Sequence, residues 1–403
     1  MKRSQTKSGL WALTALCVIL VAVIALILVG VMQNQSSLFT SSSFRKAMTQ
    51  LFNKNASQIT QEDLDSIQVV MINDNASTLY FGTSELYDVI HANAQLADGE
   101  QSQSYDKYIK TVELATPITS FADYQLFKNV KYLSVTDCST FKELSQLDGF
   151  RELVYLYMDK TDIDSLAPLT KFEHLEGLYF SDTKVTDLSP LKEMKKLTSI
   201  AMDGLKIKDL SPLEGLNLNY MSAMNNEISD LSPLKGMTNL KTLDLSNNKI
   251  SDLSALAEMK NLSYLKIDEN AELKNISALN GSTKLTYFSA NKCGIDDLSA
   301  LKANEKMEYL YLANNKVNDI SALEKMHKLY YVDFSNNLIT DGSALKDKTS
   351  LGYLILSGNI LKDWTVLDKL ANTQIVGKPA TTTKAPTTTA AATKAPATTT
   401  KAA

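Results

Sequence analysis

The chain has 403 residues, a formal net charge of -4, three histidines and three cysteines. This mild acidic charge, with no large basic block, argues against a nucleic acid as the partner. Three cysteines are too few for a framework of disulfide bonds. Composition therefore excludes two common classes of protein, and the order of segments along the chain carries the remaining information.

The N-terminus predicts insertion into a membrane. Residues 1–9 form a basic tail, and residues 10–32 form an uncharged apolar run of 23 residues. Such a run can span a hydrocarbon core of about 30 Å. The apolar part of a cleaved signal peptide is shorter, roughly 7–15 residues, and ends in small residues, whereas this run ends in VGVMQNQSS. We therefore expect a single transmembrane signal anchor in preference to a cleaved signal, with the basic tail in the cytoplasm and the rest of the chain outside it.

The segment after the anchor predicts a cap for a larger unit. Residues 33–43 are a polar spacer rich in Ser and Gln. Residues 44–106 combine a short amphipathic helix, a capping-box pattern at Thr60 and an apolar run at 67–72 that is typical of a strand. We assign residues 44–106 to an N-terminal helical cap region, because the end coil of a repeat array cannot bury both of its faces.

A unit of about 22 residues then repeats eleven times over residues 128–370, after a degenerate first coil at 107–127, so that the array spans 107–370. The clearest copy is TNLKTLDLSNNKISDLSALAEM, which begins at Thr238. Apolar residues occupy positions 3, 6, 8, 13, 16 and 19 of the unit, and Asn occupies position 11. Self-similarity of this period is typical of a solenoid, in which neighbouring coils stack on one another.

Each position of the unit has a predicted role. The pattern L-x-x-L-x-L predicts a short strand whose residues alternate between the core and the concave surface. Asn at position 11 turns the chain, and its amide can bond backbone groups of its own and neighbouring coils. Asp at position 15 is interpreted as a turn former. Cys138 and Cys293 replace the position-11 Asn, and we interpret both as small buried residues that lie more than about 30 Å apart and cannot pair.

The unit resembles the leucine-rich repeat of bacterial internalin-like proteins. The shared phrase is L-x-x-L-x-L-x-x-N-x-I-x-D-L-S-x-L, found at Leu240–Leu256 and Met307–Leu323. The resemblance implies an α/β solenoid, namely a right-handed leucine-rich-repeat horseshoe with a parallel β-sheet on its concave face, and protein binding on that face. The N-terminal anchor, the missing LPxTG-type sorting signal and the missing immunoglobulin-like domain depart from secreted or wall-linked internalins.

The residues that follow the repeats change character. Residues 371–377 are expected to add a terminal cap strand. Residues 378–403 contain only Lys, Pro, Ala and Thr. This composition cannot bury a core, so we expect a disordered tail that serves as a stalk or contacts the cell wall.

Tyrosine is concentrated on the predicted concave surface. Positions 5 and 7 lie between the core positions of the strand, and eleven of the chain's 17 tyrosines occupy them. Rigid, amphipathic Tyr side chains are frequent anchors in protein interfaces, and aromatic rows also suit glycans. The alternative is that these tyrosines only stack on one another and favour strand structure. The predicted partner-binding residues are Tyr132, Tyr155, Tyr157, Tyr179, Tyr220, Tyr264, Tyr287, Tyr309, Tyr311, Tyr331 and Tyr353.

Two further features bear on the nature of the partner. The tyrosine row is interrupted at Gly177 and Ser199, where a bulky partner group could enter. Carboxylates outnumber lysines at positions 7, 9 and 10, which favours a basic partner. These carboxylates belong to Asp159, Asp182, Asp203, Asp244, Asp268, Glu269 and Asp333.

The sequence contains no catalytic or metal-binding motif. His91, His174 and His327 are isolated, and there is no metal-ligand spacing, phosphate loop or nucleophile motif. We therefore expect no enzymatic activity and no cofactor. The predicted function is that of a membrane-anchored cell-surface protein that binds a protein partner through its Tyr-rich concave face. The alternatives are a structural or glycan-binding envelope protein that contacts the cell wall, and a cytosolic regulator, which would lack the anchor.

Overall fold

A computed structural model describes residues 38–73, 77–94, 104, 106–114 and 121–379. The predicted basic tail at 1–9, the anchor at 10–32, most of the spacer and nearly all of the tail at 378–403 lie outside these residues. Among the helices of the described ranges, none has the length and apolar character that a membrane crossing requires.

One sheet of fifteen strands runs through the described chain. Its order is β3-β2-β1-β4, followed by β5 to β15 in sequence. Strand β1 is antiparallel to β2 and parallel to β4. Strands β4 to β15 are parallel to one another, with one strand from each repeat over β4–β14. The predicted leucine-rich-repeat horseshoe with a parallel sheet is therefore confirmed. The strands are β1 (Val69–Asn73), β2 (Thr78–Gly82), β3 (Lys110–Glu113), β4 (Tyr132–Ser134), β5 (Tyr155–Tyr157), β6 (Gly177–Tyr179), β7 (Ser199–Ala201), β8 (Tyr220–Ser222), β9 (Thr242–Asp244), β10 (Tyr264–Lys266), β11 (Tyr287–Ser289), β12 (Tyr309–Tyr311), β13 (Tyr331–Asp333), β14 (Tyr353–Ile355) and β15 (Gln374–Val376).

Apolar residues of the unit form one continuous core between the sheet and the opposite, convex side. In the copy that begins at Thr238, the residues at the six apolar positions are all 1% exposed or less; they are Leu240, Leu243, Leu245, Ile250, Leu253 and Leu256. The convex side closes in a 3₁₀ turn, Ser254–Leu256 in this copy. Asp252 accepts hydrogen bonds from the Ser254 amide at 2.9 Å and from the Ser254 hydroxyl at 2.7 Å, which confirms that the position-15 Asp forms a turn.

In six of the eleven repeats, Asn at position 11 joins the coil to the one before it. The Asn248 side-chain amide donates to the carbonyl oxygens of Ala223 at 2.9 Å and Leu245 at 3.0 Å. Its Oδ1 accepts from the Ile228 amide of the preceding coil at 3.0 Å. The side chain is buried, so these bonds satisfy backbone groups that water cannot reach. The predicted bonding within and between coils is confirmed.

Cys293 shows how one coil manages without this Asn. Its sulfur lies 3.3 Å from the Ile267 carbonyl oxygen, and no disulfide links Cys293 with Cys138. The preceding coil carries one extra residue near Leu273. There the Leu273 amide donates to the Asn270 carbonyl oxygen at 3.0 Å within its own coil. An Asn at position 293 would accept from this Leu273 amide, which therefore already has a partner. A small thiol can then occupy position 11 without leaving that amide unsatisfied.

Position 10 of every repeat adopts the left-handed backbone conformation, which the sequence reading missed. Asn225, Asn247, Asn314 and Asn336 have φ angles of 52–58°, and Gly358 has a φ of 74°. Asn and Gly are the residues that tolerate this conformation best, so their recurrence at position 10 was the available signal. The turn redirects the chain from the strand to the convex side.

The N-terminal end of the sheet is built differently from the repeats. Helices α1 (Ser42–Phe52), α2 (Gln61–Asp65) and α3 (Ser84–Ala94) precede or follow β1 and β2. The capping box predicted at Thr60 is present at the start of α2: Thr60 Oγ1 accepts from the Asp63 amide at 3.2 Å, and Asp63 accepts from the Thr60 amide at 3.0 Å.

One expectation for this end of the chain is wrong. Residues 107–127 do not form a degenerate first coil, because β3 pairs antiparallel with β2 at the outer edge of the sheet and is separated from β4 by β1 and β2. Ile109, Val112 and Leu114 are spaced like the apolar positions of the repeat unit. Alternate residues of an antiparallel strand face the same side, and over so few residues this alternation gives a similar spacing.

Replacing Asn248 by Ala should lower the free energy of unfolding by about 2 kcal/mol, because it leaves the buried Ile228 amide without its acceptor. Chemical denaturation followed by circular dichroism measures this change. Asn239 is a matched control: it is exposed and bonds only the Asn217 side chain, at 2.8 Å. Asn239→Ala should cost less than about 0.5 kcal/mol. Equal losses for the two variants would contradict the role assigned to position 11.

Candidate functional site

The concave tyrosines stand in register across neighbouring strands. Tyr287 pairs with Tyr309, Tyr309 with Tyr331, and Tyr331 with Tyr353. Parallel pairing without a slip places the same position of each repeat on the same line of the sheet. The column at position 5 is therefore a continuous row of side chains on the concave surface.

Helix α3 covers the N-terminal part of this row. Leu86, Tyr87 and Ile90 of α3 are buried in an apolar cluster that also contains Val69 and concave tyrosines of β5 and β6. This cluster is separate from the main core. The tyrosines that we name the N-terminal tyrosine group are Tyr132, Tyr155, Tyr157, Tyr179 and Tyr220.

Three members of the N-terminal tyrosine group are packed too tightly to serve as predicted. Tyr155, Tyr157 and Tyr179 are only 3%, 6% and 3% exposed. The rings of Tyr157 and Tyr179 stack at 4.0 Å with an interplanar angle of 3°. A partner cannot contact these side chains while α3 stays in place, because the helix and the neighbouring rings already cover them.

Polar and cationic contacts also hold α3 on the concave face. His91 Nδ1 lies 2.9 Å from the hydroxyl oxygen of Tyr155, and the His91 ring stacks on Tyr87 at 5.6 Å. The Lys131 ammonium lies 4.9 Å from the centre of the Tyr87 ring. His91, isolated in the sequence, is thus a contact between α3 and the sheet.

The interruption of the row at Gly177 is not an opening for a partner. A Cβ atom at position 177 would lie 2.5 Å from Cδ1 of Tyr155, so the Tyr155 ring already occupies the space beside this glycine. The expectation of a vacant pocket at Gly177 is wrong because the ring of the preceding strand leans into it.

The C-terminal part of the row is open. We name the C-terminal tyrosine face by its members on β10 to β14: Tyr264, Tyr287, Tyr309, Tyr311, Tyr331 and Tyr353. Five of these side chains are half-buried and Tyr287 is 9% exposed, with no helix of the described chain in their cluster. Apart from Tyr287, these residues are the part of the predicted site that a partner can reach.

Tyr330, which the sequence reading did not select, extends this face. It occupies position 4, just before Tyr331, and is 43% exposed. Its ring makes edge contacts with Tyr309 at 6.0 Å and Tyr353 at 6.2 Å. The signal in the sequence for this extension is the Tyr-Tyr pair at 330–331. The roles predicted for the repeat unit do not include position 4.

Rings of the C-terminal tyrosine face stack mainly on one another. Tyr264 and Tyr287 lie 4.2 Å apart at 16°, and Tyr311 and Tyr331 lie 4.9 Å apart at 28°. Burial, followed by neighbouring tyrosines, raises the pKa of Tyr287 and of Tyr311 above its usual range. The hydroxyl groups therefore stay neutral and can donate and accept hydrogen bonds.

Most concave carboxylates bond the ends of the strands. Asp203 accepts from the Ser222 hydroxyl at 2.7 Å and the Met224 amide at 2.8 Å, and Asp268 accepts from the Ser289 hydroxyl at 2.6 Å. Burial raises the pKa of both carboxyl groups. Asp159, whose pKa burial raises to about 6, accepts from the Ser181 amide at 2.6 Å. These three carboxylates therefore stabilise the fold. The excess of acidic residues over lysines in the sequence did not reveal this role.

Asp244 and Asp333 occupy the same position of the unit in different surroundings. The Asp244 carboxylate is 3% exposed and forms an ion pair with Lys266 on the next strand, at 3.3 Å. Asp333 accepts from the Ser335 amide at 2.8 Å, and the described residues offer its carboxylate no ion pair. On the next strand it faces Ile355.

A family model described as leucine-rich repeats in two copies matches residues 216–258, 238–281 and 305–347. The matched residues are leucine-rich repeats. Among solved structures, an internalin (InlF) of Listeria monocytogenes is 23% identical, with a TM-score of 0.61 over 85% of this chain and 97% of that chain. At this identity the likeness concerns the fold. No curated protein sequence matches the chain.

A leucine-rich-repeat ectodomain from Arabidopsis thaliana shares the same architecture. It belongs to the plant membrane receptor kinase GASSHO1/SCHENGEN3, in complex with CASPARIAN STRIP INTEGRITY FACTOR 2. It is 15% identical, with a TM-score of 0.51 over 63% of this chain and 39% of that chain. The family model and the solved structures therefore both agree with the leucine-rich repeats predicted from the sequence.

The chemistry available on this leucine-rich-repeat protein suits binding. In the described part of the chain, no group of three His, Cys, Asp or Glu side chains is placed to hold a metal ion. His174 contacts Lys196 at 3.2 Å on an exposed rim, whereas His91 on α3 contacts Tyr155. Leucine-rich-repeat proteins such as internalins are typically binding proteins without enzymatic activity.

Proposed function

We propose that this leucine-rich-repeat protein binds a protein partner through its C-terminal tyrosine face and Tyr330. The observation that carries the proposal is an in-register row of tyrosines on five consecutive strands, from Tyr264 to Tyr353, all of them half-buried except the more deeply packed Tyr287. At about 4.8 Å between strands, the row extends over roughly 20 Å, the length of a short extended segment or of one helix face.

Accessible tyrosine hydroxyls and ring edges favour a protein partner. Tyr loses little conformational entropy on binding, and its ring and hydroxyl contribute apolar and polar contacts together. Tyr309 and Tyr331 are held by neighbouring rings before a partner arrives, which reduces the cost of ordering them. The N-terminal tyrosine group makes structural contacts instead, so the proposal is restricted to the strands that follow β9.

The alternative is a structural or glycan-binding envelope protein that contacts the cell wall. The Thr/Ala/Pro/Lys composition of residues 378–403 favours it. A glycan that stacks on an aromatic side chain needs a free ring face. On this surface, stacking of Tyr264 on Tyr287 and of Tyr311 on Tyr331 occupies ring faces, which favours the protein partner.

The proposed location is the outer side of a cell membrane. The apolar run at 10–32 supports an anchor, and the basic residues before it support a cytoplasmic N-terminus. Residues 44–106 are proposed to cap the array, because β1 pairs along β4 and shields the edge of that strand.

Simultaneous replacement of Tyr287, Tyr309 and Tyr331 by Ala should weaken binding to a partner recovered by crosslinking at least about tenfold, because large aromatic anchors dominate interface energies. Isothermal titration calorimetry with the purified partner measures the change. A matched control is Lys302→Ala, Lys325→Ala and Lys346→Ala, three exposed residues of the convex side in the same part of the array.

The triple Tyr variant must keep the circular dichroism spectrum of the unchanged protein. Equal affinity of the folded Tyr variant and the unchanged protein would contradict the binding face. Binding of the unchanged protein to purified peptidoglycan, lost in the same Tyr variant, would favour the glycan alternative.

Protease treatment of intact cells should digest the repeats, because an uncleaved anchor with a cytoplasmic N-terminus leaves everything after Met32 outside the membrane. Immunoblotting with an antibody against the repeats measures the loss, and a cytoplasmic protein of the same cells serves as the protected control. Repeats that stay intact until the cells are lysed would contradict the proposed location.

A further inference from the structure

Asp333 is a carboxylate on the C-terminal tyrosine face that forms no ion pair with any residue of the described ranges. It lies at position 7 on β13, between Tyr311 on β12 and Ile355 on β14. The side chain is half-buried, and one oxygen accepts from the Ser335 amide at 2.8 Å. Burial, and then the negative charge of Asp333, raise the pKa of Tyr331, which places this charge beside the stacked rings of Tyr311 and Tyr331.

Asp244 shows how the same position is neutralised elsewhere in the chain. Asp244 on β9 pairs in register with Lys266 on β10, and their charged groups lie 3.3 Å apart. Asp333 pairs in register with Ile355, so the residue that would supply the cation is apolar. The two sites thus differ in whether the next strand supplies a cation.

Other charges near the face do not compensate Asp333. Lys292 is paired with Glu269 at 2.6 Å, and Lys266 with Asp244. Positions 4, 5 and 7 of β11 to β14 contain no Lys or Arg, and their only other charged residue is Glu308. Exposed lysines occur at position 2, before the strands begin. Asp333 lies at the opposite end of its strand, away from these lysines.

We infer that Asp333 is the specificity-determining residue of the face, and that the protein partner places an Arg or Lys side chain against it. A half-buried carboxylate gains a charge-assisted hydrogen bond and an ion pair from such a group. The rings of Tyr311 and Tyr331 contact the aliphatic part of the basic side chain, which long cationic residues bury readily. This inference rests on the proposed function, since it names the chemistry of the partner that binds there.

Charge complementarity selects a basic segment over an acidic or apolar one. An acidic segment would place like charge against Asp333, and Glu308 at the other end of the neighbouring strand adds to the repulsion. An apolar group would leave the Asp333 carboxylate covered without a counter-charge, which costs more than a rim charge left in water.

The test uses the full chain in detergent micelles and a fluorescein-labelled peptide of alternating Ala and Arg, with a twin peptide in which Glu replaces Arg. Fluorescence anisotropy measures the affinity. We expect the arginine peptide to bind, the glutamate twin not to bind, and Asp333→Asn to weaken binding about tenfold. Asn can still accept from the Ser335 amide, so the fold should be unchanged.

Two further variants make the test specific. Glu305→Gln removes one exposed charge outside the tyrosine face and should leave the affinity unchanged. Ile355→Lys should weaken binding as much as Asp333→Asn, because it recreates next to Asp333 the register of Asp244 and Lys266.

Four results would overturn the inference. The arginine peptide does not bind, or its glutamate twin binds equally well. The Asp333→Asn variant has the same affinity as Glu305→Gln, or deletion of residues 380–403 makes Asp333-dependent binding tighter. The last result would assign the face to the chain's own lysine-containing tail. A natural partner that needs the tyrosines but tolerates Asp333→Asn would leave the proposed function intact and remove this inference alone.

Discussion

Each coil of this protein depends on its neighbour to satisfy buried backbone groups, and the rest of the structure follows from that dependence. Asn248 bonds a carbonyl of its own coil, a carbonyl of the preceding coil and an amide of that coil. Such bonds tolerate no slip in register, because a slip would leave buried donors without partners. Stacking in fixed register places the same position of every repeat on one line, so substitutions at one position create a continuous surface column.

The column of tyrosines performs two different tasks along its length. Under α3, Tyr155, Tyr157 and Tyr179 form a second apolar cluster that attaches the helix to the sheet. From Tyr264 onward the same position faces outward with its rings ordered by stacking. A repeat array can therefore use one residue type for folding at one end and for recognition at the other, according to what packs above it.

The repeat itself could be predicted from the sequence, because each coil fixes the same buried positions and the fold of one predicts the fold of all. At the N-terminal end, local patterns predicted the first helix, the capping box at Thr60 and the strand β1. The packing of α3 on the sheet could not be predicted, since His91 contacts Tyr155, 64 residues away, and no local pattern indicates that contact. For the same reason Tyr155 was assigned to a partner that α3 excludes. Among the acidic residues, composition could not separate Asp268, which bonds the Ser289 hydroxyl, from Asp333, which has no ion pair in the described chain.

Hydroxyl-radical footprinting with mass spectrometry tests the central claim most directly, because it measures the accessibility of each tyrosine in the folded chain. The account predicts rapid modification of Tyr330, Tyr331 and Tyr353, and protection of Tyr157 and Tyr179 beneath α3. Equal modification of both groups, or protection of the first and reaction of the second, would contradict the division of the concave surface into a covered and an open half.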